Sequence, residues 1–476
     1  MLRIGKEEKM KKTTTEFDSQ TAKLSRFCYL FERKDALCIY HALGISPIYF
    51  GKDFLPMFDA LLHERRKRAD IYALSPLNQE DTVDLLSKLE AKKFIVVDDD
   101  EDSRQLHNFQ TKYIGKPSVA LMYLLVTDSC NLACSYCYIK NNMPKDHCFT
   151  QMTPDCAAQA ILFFSRQLAL SGVQEPLVIF YGGEPLLNMP ALMAAIETIE
   201  KFKNNGVLPR AIRTSVVTNG TLVTPEKARF FKGHNISVSV SIDGPEMITS
   251  SLRLQGKNTL YHEILKGFEI LKNEGVELGI SCTLNDASIE QFDAILEWIS
   301  AQKVTNVGFN IVRPIPPFTV SPEYQDKVAD ALIIGYESLN AQGIHEDRMG
   351  RKVKAFAEGK PYPYDCAGCG NQIVVTPQGK VGLCAGFLGT GKYFMTDIND
   401  ATFDHRTDST FILWSNRSPL ATKECLTCPA IAVCGGGCPY SAEINKGNLQ
   451  AVDDIFCTHA KKTLEHLIWS LHARLH

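Results

Sequence analysis

Thr127-Asp128-Ser129-Cys130-Asn131-Leu132-Ala133-Cys134-Ser135-Tyr136-Cys137-Tyr138 follows directly on the apolar run at 119–126. That run has the length of a buried strand, so the C-x3-C-x2-C triplet stands at a strand's carboxyl end. Three cysteines are one too few for a closed structural metal site. Thiolates select zinc or iron–sulfur clusters. A structural zinc needs a fourth ligand, and His147 and Cys148 lie close enough in sequence to supply one. A [4Fe–4S] cluster held by three cysteines instead leaves one iron open to a small molecule.

Working outward, the chain beyond residue 118 alternates β and α. Short apolar runs at 119–127, 177–181, 211–218, 236–243, 276–284 and 304–312 are separated by amphipathic stretches of helix length, such as 155–169, 190–203, 259–273 and 287–301. Six βα units predict an α/β fold, a partial (β/α)6 TIM-like barrel over 116–345, with active residues at the carboxyl ends of the strands. Those ends carry the triplet, then Gly182-Gly183-Glu184-Pro185, Thr218-Asn219-Gly220, Ser241-Ile242-Asp243-Gly244-Pro245 and Asn285. In the fourth strand, alternation puts Ile236, Val238, Val240 and Ile242 on one face and Ser237, Ser239, Ser241 and Asp243 on the other. The bulky face must meet helices, and the hydroxyl face must line a lumen that holds something polar.

In this order behind the triplet, the motifs resemble those of radical S-adenosylmethionine (SAM) enzymes, and the resemblance covers about residues 118–313. It implies that Cys130, Cys134 and Cys137 bind a [4Fe–4S] cluster whose open iron takes the amino and carboxylate groups of SAM. An electron from that cluster then cleaves SAM to a 5′-deoxyadenosyl radical. By the same resemblance Gly182 and Gly183 let the backbone approach SAM, Glu184 receives its ammonium and Tyr136 meets the adenine. Ser241 and Asp243 match polar positions near the ribose and methionyl portions. Arg253 is a partner for the carboxylate, since a guanidinium fork suits that group. Thr218, Asn219 and Asn285 are further expected SAM contacts.

The C-terminal stretch 346–476 holds Cys366, Cys369 and Cys384, then Cys425, Cys428, Cys434 and Cys438, then Cys457. A zinc ribbon closes one site with two CxxC pairs and leaves half of these eight unassigned, whereas two four-cysteine clusters use all eight. Gly379-x4-Cys384 followed by C-x2-C-x5-C-x3-C and a final cysteine resembles the SPASM domain of peptide-modifying radical SAM enzymes. That resemblance implies two auxiliary [4Fe–4S] clusters, three in all. The first is held by Cys366, Cys369, Cys384 and Cys438, and the second by Cys425, Cys428, Cys434 and Cys457. Of sixteen cysteines, Cys28, Cys38, Cys148, Cys156 and Cys282 remain. Cys28 and Cys38 sit in apolar runs and read as core residues, Cys282 faces the helices, and Cys148 and Cys156 are placed to face substrate.

Residues 1–20 read as a disordered tail. In 21–115, the aromatic-rich runs 27–31 and 36–40 flank a charged turn and read as a hairpin, and helical patterns follow at 54–66 and 79–91. A strand at 94–97 then runs into the acidic 98–102. This order fits a winged-helix-like domain. The basic run 63–68 reads as a solvated helix face, and the acidic run argues against phosphate contact, so no nucleic acid is expected. The element order is similar to the peptide-recognition domains of peptide-modifying radical SAM enzymes, where a leader adds a strand to a sheet edge.

Composition agrees with such an enzyme. The chain has 476 residues, 45% hydrophobic and 22% charged, with a formal charge of −3. No run reaches the length of a membrane span and no signal peptide is visible, so a cytoplasmic protein without a membrane partner is expected. The reading is a maturase of ribosomally made peptides (RiPPs). It abstracts a hydrogen from a leader-bearing precursor to form a thioether or other cross-link, with flavodoxin or ferredoxin as electron donor. Two alternatives stand beside it. One is an anaerobic sulfatase maturase, which shares the barrel and SPASM layout but carries a basic aspartate where this chain has Ala385. The other is a zinc-binding winged-helix regulator.

Overall fold

The computed structural model describes residues 20–98, 100–255, 258–315 and 318–475. The expected tail therefore lies, but for residue 20, outside the described residues. Six parallel strands pair in chain order: β1 (Leu121–Thr127), β2 (Leu177–Gly182), β3 (Arg213–Thr218), β4 (Ser237–Ser241), β5 (Leu278–Leu284) and β6 (Asn306–Ile311). Their connections carry α1 (Pro154–Ser171), α2 (Met189–Asn204), α3 (Pro225–Gly233), α4 (Tyr261–Asn273) and α5 (Phe292–Gln302). Each strand lies within the apolar run that predicts it, except that β2 runs one residue further, to Gly182. The fold is therefore α/β with a large, mostly parallel sheet.

Local chemistry explains the helix starts. Thr153 caps α1 by accepting from the Cys156 amide, with Pro154 at the first helical position. Thr224 and Pro225 do the same for the short α3, which apolar periodicity alone misses. The stretch read as one helix at 287–301 is two, Asp286–Glu290 and α5, because Asn285 and Ser288 form a capping box that starts a separate turn.

The sheet does not stop at six strands. Gln372–Val375, from the cysteine-rich region, pairs in parallel with β1, and Lys380–Gly382 and Phe394–Asp397 extend that edge antiparallel. His345–Glu346 pairs with β6 at the opposite end, making ten strands. An edge left bare beside β1 would expose its hydrogen-bonding row, and the cysteine-rich region covers it. β4 behaves as alternation demands: Val238 and Val240 are buried in the core, while Ser237, Ser239 and Ser241 are half-buried.

In the N-terminal region, Cys28–Glu32 and Ala36–His41 form the expected hairpin, and Ser46–Gly51 adds a third antiparallel strand that Pro47 hides from propensity. Thr21–Leu24 pairs with Arg66–Lys67 and with Ile95–Val96. The helices are Leu55–His63 and Gln79–Ala91. The basic run is not a solvated helix face: the helix ends at His63, and Arg68 is fully buried against Glu90. The acidic run opens a further helix, Asp100–Tyr113, where carboxylates favour the positive end of the dipole.

The middle strand Ala36–His41 is buried along its whole length. Leu37 and Ile39 join Phe58, Leu86 and Phe94 in the N-terminal core. Cys38 and Tyr40 join Leu420, Ile431, Leu464, Ile468 and Trp469 in a second core. The N-terminal and cysteine-rich regions therefore share buried surface. Among the described residues no helix is long and apolar enough to cross a membrane.

Candidate active site

The triplet loop is pinned from two sides. On one, the amides of Gly183 and Glu184 donate to the carbonyls of Thr127 and Ser129 at 3.0 and 2.8 Å. On the other, Ala133 and Ser135 donate to the carbonyls of Leu254 and Leu252. A Cβ on Gly182 would stand 2.1 Å from the Thr127 oxygen, and one on Gly183 would stand 1.9 Å from the Ser129 oxygen. Both glycines line the cavity described below, but what demands glycine is the close approach of the cysteine loop, not room for a ligand.

Donors point at each of the three sulfurs. The Leu132 amide donates to Cys130 Sγ and the Lys140 amide to Cys137 Sγ, each at 3.4 Å. Asn219 Nδ2 reaches Cys130 Sγ and Arg253 Nη1 reaches Cys134 Sγ, each at 3.9 Å. Burial pushes the Cys130 thiol up to about 12 and raises Cys134 despite the opposing charge of Arg253. Free thiols so placed are poor nucleophiles. A bound metal centre would deprotonate them, and the surrounding N–H groups suit anionic sulfur. The donor set fits an iron–sulfur cluster with an open position.

Behind the sulfurs lies a buried ionic network. Asp243, fully buried, accepts from Arg253 Nε and Nη2 at 2.8 and 3.0 Å, from the Tyr136 hydroxyl at 2.7 Å and from the Thr283 amide at 2.9 Å. The Arg253 guanidinium also lies 5.5 Å from the Tyr136 ring centroid. Glu184, fully buried too, accepts from the Thr218 hydroxyl and from the Leu186 and Asn219 amides. Burial raises its carboxyl, and those three donors counteract the rise.

A cavity of about 390 Å³ opens at the carboxyl ends of the strands. Cys130, Cys134, Tyr136, Cys137, Gly182, Gly183, Thr218, Asn219, Ser241 and Arg253 all line it. Three other expected contacts are not part of its lining. Glu184 and Asp243 are held behind the wall by the bonds just given, and Asn285 caps the helix Asp286–Glu290. Cys148 and Cys156 do not line the cavity either. Cys148 is exposed, and Cys156 packs near the Pro377 carbonyl. His147 pairs with Asp128 at 2.9 Å and completes no metal site with the triplet. Cys28, Cys38 and Cys282 are buried core residues.

The far wall of the same cavity contains Cys366, Cys384 and Cys438. The Gly386 amide and Arg313 Nε donate to Cys384 Sγ and Cys438 Sγ, each at 3.4 Å. Cys369 is buried beside Cys366, Cys438 and Arg417. Cys425, Cys428, Cys434 and Cys457 line a separate cavity of about 30 Å³, where the Gly436 amide donates to Cys434 Sγ. Cys425, Cys428, Cys434 and Cys457 thus face one cavity, while Cys366, Cys384 and Cys438, with Cys369 beside them, face the other.

Several lining residues escaped that reading. Thr283 and Asn310 sit on β5 and β6 in the phase that Ser241 occupies on β4, a signal the alternation rule offers. Arg313, just past the end of β6, lies 4.9 Å from the Tyr138 ring and stands where the strand-end rule points. Tyr123, Tyr138, Tyr181 and Tyr440 complete an aromatic wall between the two sets of cysteines, with no motif to mark them.

Comparison with known proteins places this geometry. The radical SAM superfamily model matches residues 124–299. The chain is 24% identical over 436 residues to the radical SAM cyclopropyl synthase TigE of Paramaledivibacter caminithermalis, covering 86% of this chain and 87% of the relative. It is 23% identical over 337 residues to a serine-type anaerobic sulfatase-maturating enzyme of Klebsiella aerogenes, covering 65% and 77%. Streptococcus suis SuiB, solved with its precursor peptide SuiA, shares the fold with a TM-score of 0.53 at 13% identity, over 92% of this chain and 99% of that one. A radical SAM domain implies SAM and a [4Fe–4S] cluster, and the triplet with its N–H donors suits both. The chain is an enzyme with a radical SAM domain over residues 124–299.

Proposed function

We propose that the chain is a peptide maturase that abstracts a hydrogen from a ribosomally made precursor and closes a thioether or other cross-link. When bound, the cluster and SAM supply a 5′-deoxyadenosyl radical. The observation that carries the reading is the shared cavity, whose near wall holds Cys130, Cys134 and Cys137 and whose far wall holds Cys366, Cys384 and Cys438. A peptide side chain in that cavity would lie between the triplet and Cys366, Cys384 and Cys438, and cross-linking would take from it one hydrogen atom, one proton and one electron, the last of which a cluster held at the latter cysteines would accept. The two C-terminal sets of four cysteines would each hold an auxiliary [4Fe–4S] cluster in a SPASM-type region, three clusters in all. SuiB and its bound precursor peptide support a peptide substrate, and the cyclopropyl synthase supports bond formation at carbon.

The chain's own residues then have defined tasks. Tyr136, Ser241, Thr218 and Asn219 hold the nucleoside side of SAM, and Arg253, locked by Asp243, presents its remaining N–H groups to the carboxylate. Residues 21–115, read as a winged-helix-like unit, hold the leader along a free edge of the sheet of Cys28–Glu32, Ala36–His41 and Ser46–Gly51. A flavodoxin or ferredoxin in the cytoplasm serves as donor.

The sulfatase-maturase reading has its own support in the Klebsiella relative. Against it, Ala385 lines the cavity and no Asp, Glu or His is among the described lining residues, so no carboxylate base is at hand. Anaerobic incubation with the precursor peptide encoded beside the gene, and in parallel with a sulfatase-derived peptide, separates the two. Mass spectrometry is expected to show a cross-linked precursor without a new carbonyl. A hydrazine-reactive aldehyde on the sulfatase peptide, with the precursor untouched, would overturn the maturase reading.

A further inference from the structure

The register of the N-terminal hairpin sets Tyr29 opposite Tyr40, and facing residues of an antiparallel pair share one side of the sheet. That side is covered by the cysteine-rich region. Tyr40 is fully buried in one cluster with Ala430, Ile431 and Ala460, and Tyr29 and Cys428 pack against the same cluster. Ala430, Ile431 and Ala460 also line the cavity into which Cys425, Cys428, Cys434 and Cys457 open. The sheet and the distal set of cysteines therefore meet at one packed cluster, which Cys428 itself joins.

Both phenol oxygens are buried, and neither has a hydrogen-bond partner among the described residues. Buried hydroxyls are normally satisfied, because leaving one without an acceptor forfeits its hydration for nothing. Two orphaned hydroxyls on one side of the sheet point to an acceptor that the protein's own atoms do not provide. Burial pushes both phenols upward, and charge on Cys428 adds to the rise, at Tyr40 after that on Cys38.

We propose that Tyr29 and Tyr40 are positioning residues of the distal iron–sulfur centre, donating their hydroxyls to its sulfur atoms and thereby setting its reduction potential from the N-terminal sheet. The inference rests on the reading of Cys425, Cys428, Cys434 and Cys457 as cluster ligands. Hydrogen bonds to cluster sulfur stabilise the more negative, reduced state, so they raise the potential.

The test uses full-length, anaerobically reconstituted protein with Cys130, Cys134 and Cys137 replaced by Ala, which leaves only the auxiliary centres. The distal signal is the one that C425A/C428A removes. In a potentiometric titration followed by electron paramagnetic resonance, Y29F/Y40F is expected to keep its iron and to show a lower midpoint for that signal. Y29F and Y40F alone should fall between, and each keeps one hydroxyl in place should the double variant lose the centre. Midpoints equal to that of the parent in both single variants would overturn the proposal. Failure of C425A/C428A to remove any iron would instead overturn the ligand assignment on which it rests.

Discussion

Arg253 carries a charge that has been taken almost wholly out of water, and its fork to Asp243 is what makes that tolerable. Removing one partner of such a pair strands the other, at a cost of about 3–5 kcal/mol. Arg253→Ala should therefore lower unfolding stability by that amount in a denaturant titration, with Arg253→Lys only partly restoring it because an ammonium cannot make both bonds. His405 offers a test by pH. It is fully buried, bonded to Gln167 and Ser171, and burial lowers its pKa from the usual 6.5 to about 4. Since the folded state holds it neutral, its contribution is complete above its unfolded pKa and is lost as pH falls from there through the folded value. The stability difference between wild type and His405→Gln should accordingly shrink between pH 6.5 and 4. A difference independent of pH across that window would show that His405 does not titrate with folding. These long-range partners, Gln167 with His405 and Asp243 with Arg253 and Thr283, are not legible from residue type, because a sequence does not say which buried polar groups will meet.

At the scale of elements, the carboxyl end of β2 is fitted to the loop after β1 without a methyl's clearance. Gly183→Ala should force the Ser129 carbonyl aside, destabilise the protein by about 1–3 kcal/mol and lower iron bound at the triplet, measured by iron assay after reconstitution. Unaltered iron content would show that the loop can shift without opening the site. Much of this level was legible. The period-two pattern of β4 told which face meets the helices, and the cavity opens at the carboxyl ends of the strands, where the strand-end rule expects it. A motif does not reveal the partners inside the protein: Glu184 accepts from Thr218, Asp243 accepts from Arg253, and Asn285 caps the helix Asp286–Glu290. Arg313 was missed because it follows β6 without a recognisable pattern of its own, and the tyrosines because they are scattered over β1, β2, the cysteine loop and the helix Pro439–Lys446.

At the scale of the whole molecule, the cysteine-rich region is joined to both of its neighbours. It supplies a strand beside β1, and it closes a core against Ala36–His41. Residues 21–115 read in sequence as a winged-helix-like domain, and their deletion would lay bare Leu420, Ile431, Ile468 and Trp469. The truncated protein should bind more of a hydrophobic dye and lose soluble yield, whereas an unchanged yield and dye signal would mean that this shared surface stabilises little. The account as a whole rests on the triplet being the site where SAM is opened. Reductive cleavage of SAM by anaerobically reconstituted protein measures that directly, by chromatography of 5′-deoxyadenosine alongside iron content. Wild type should produce the nucleoside, and C130A/C134A/C137A should produce none while losing one cluster's worth of iron, about four atoms. Continued production of 5′-deoxyadenosine by the triple variant would contradict the assignment.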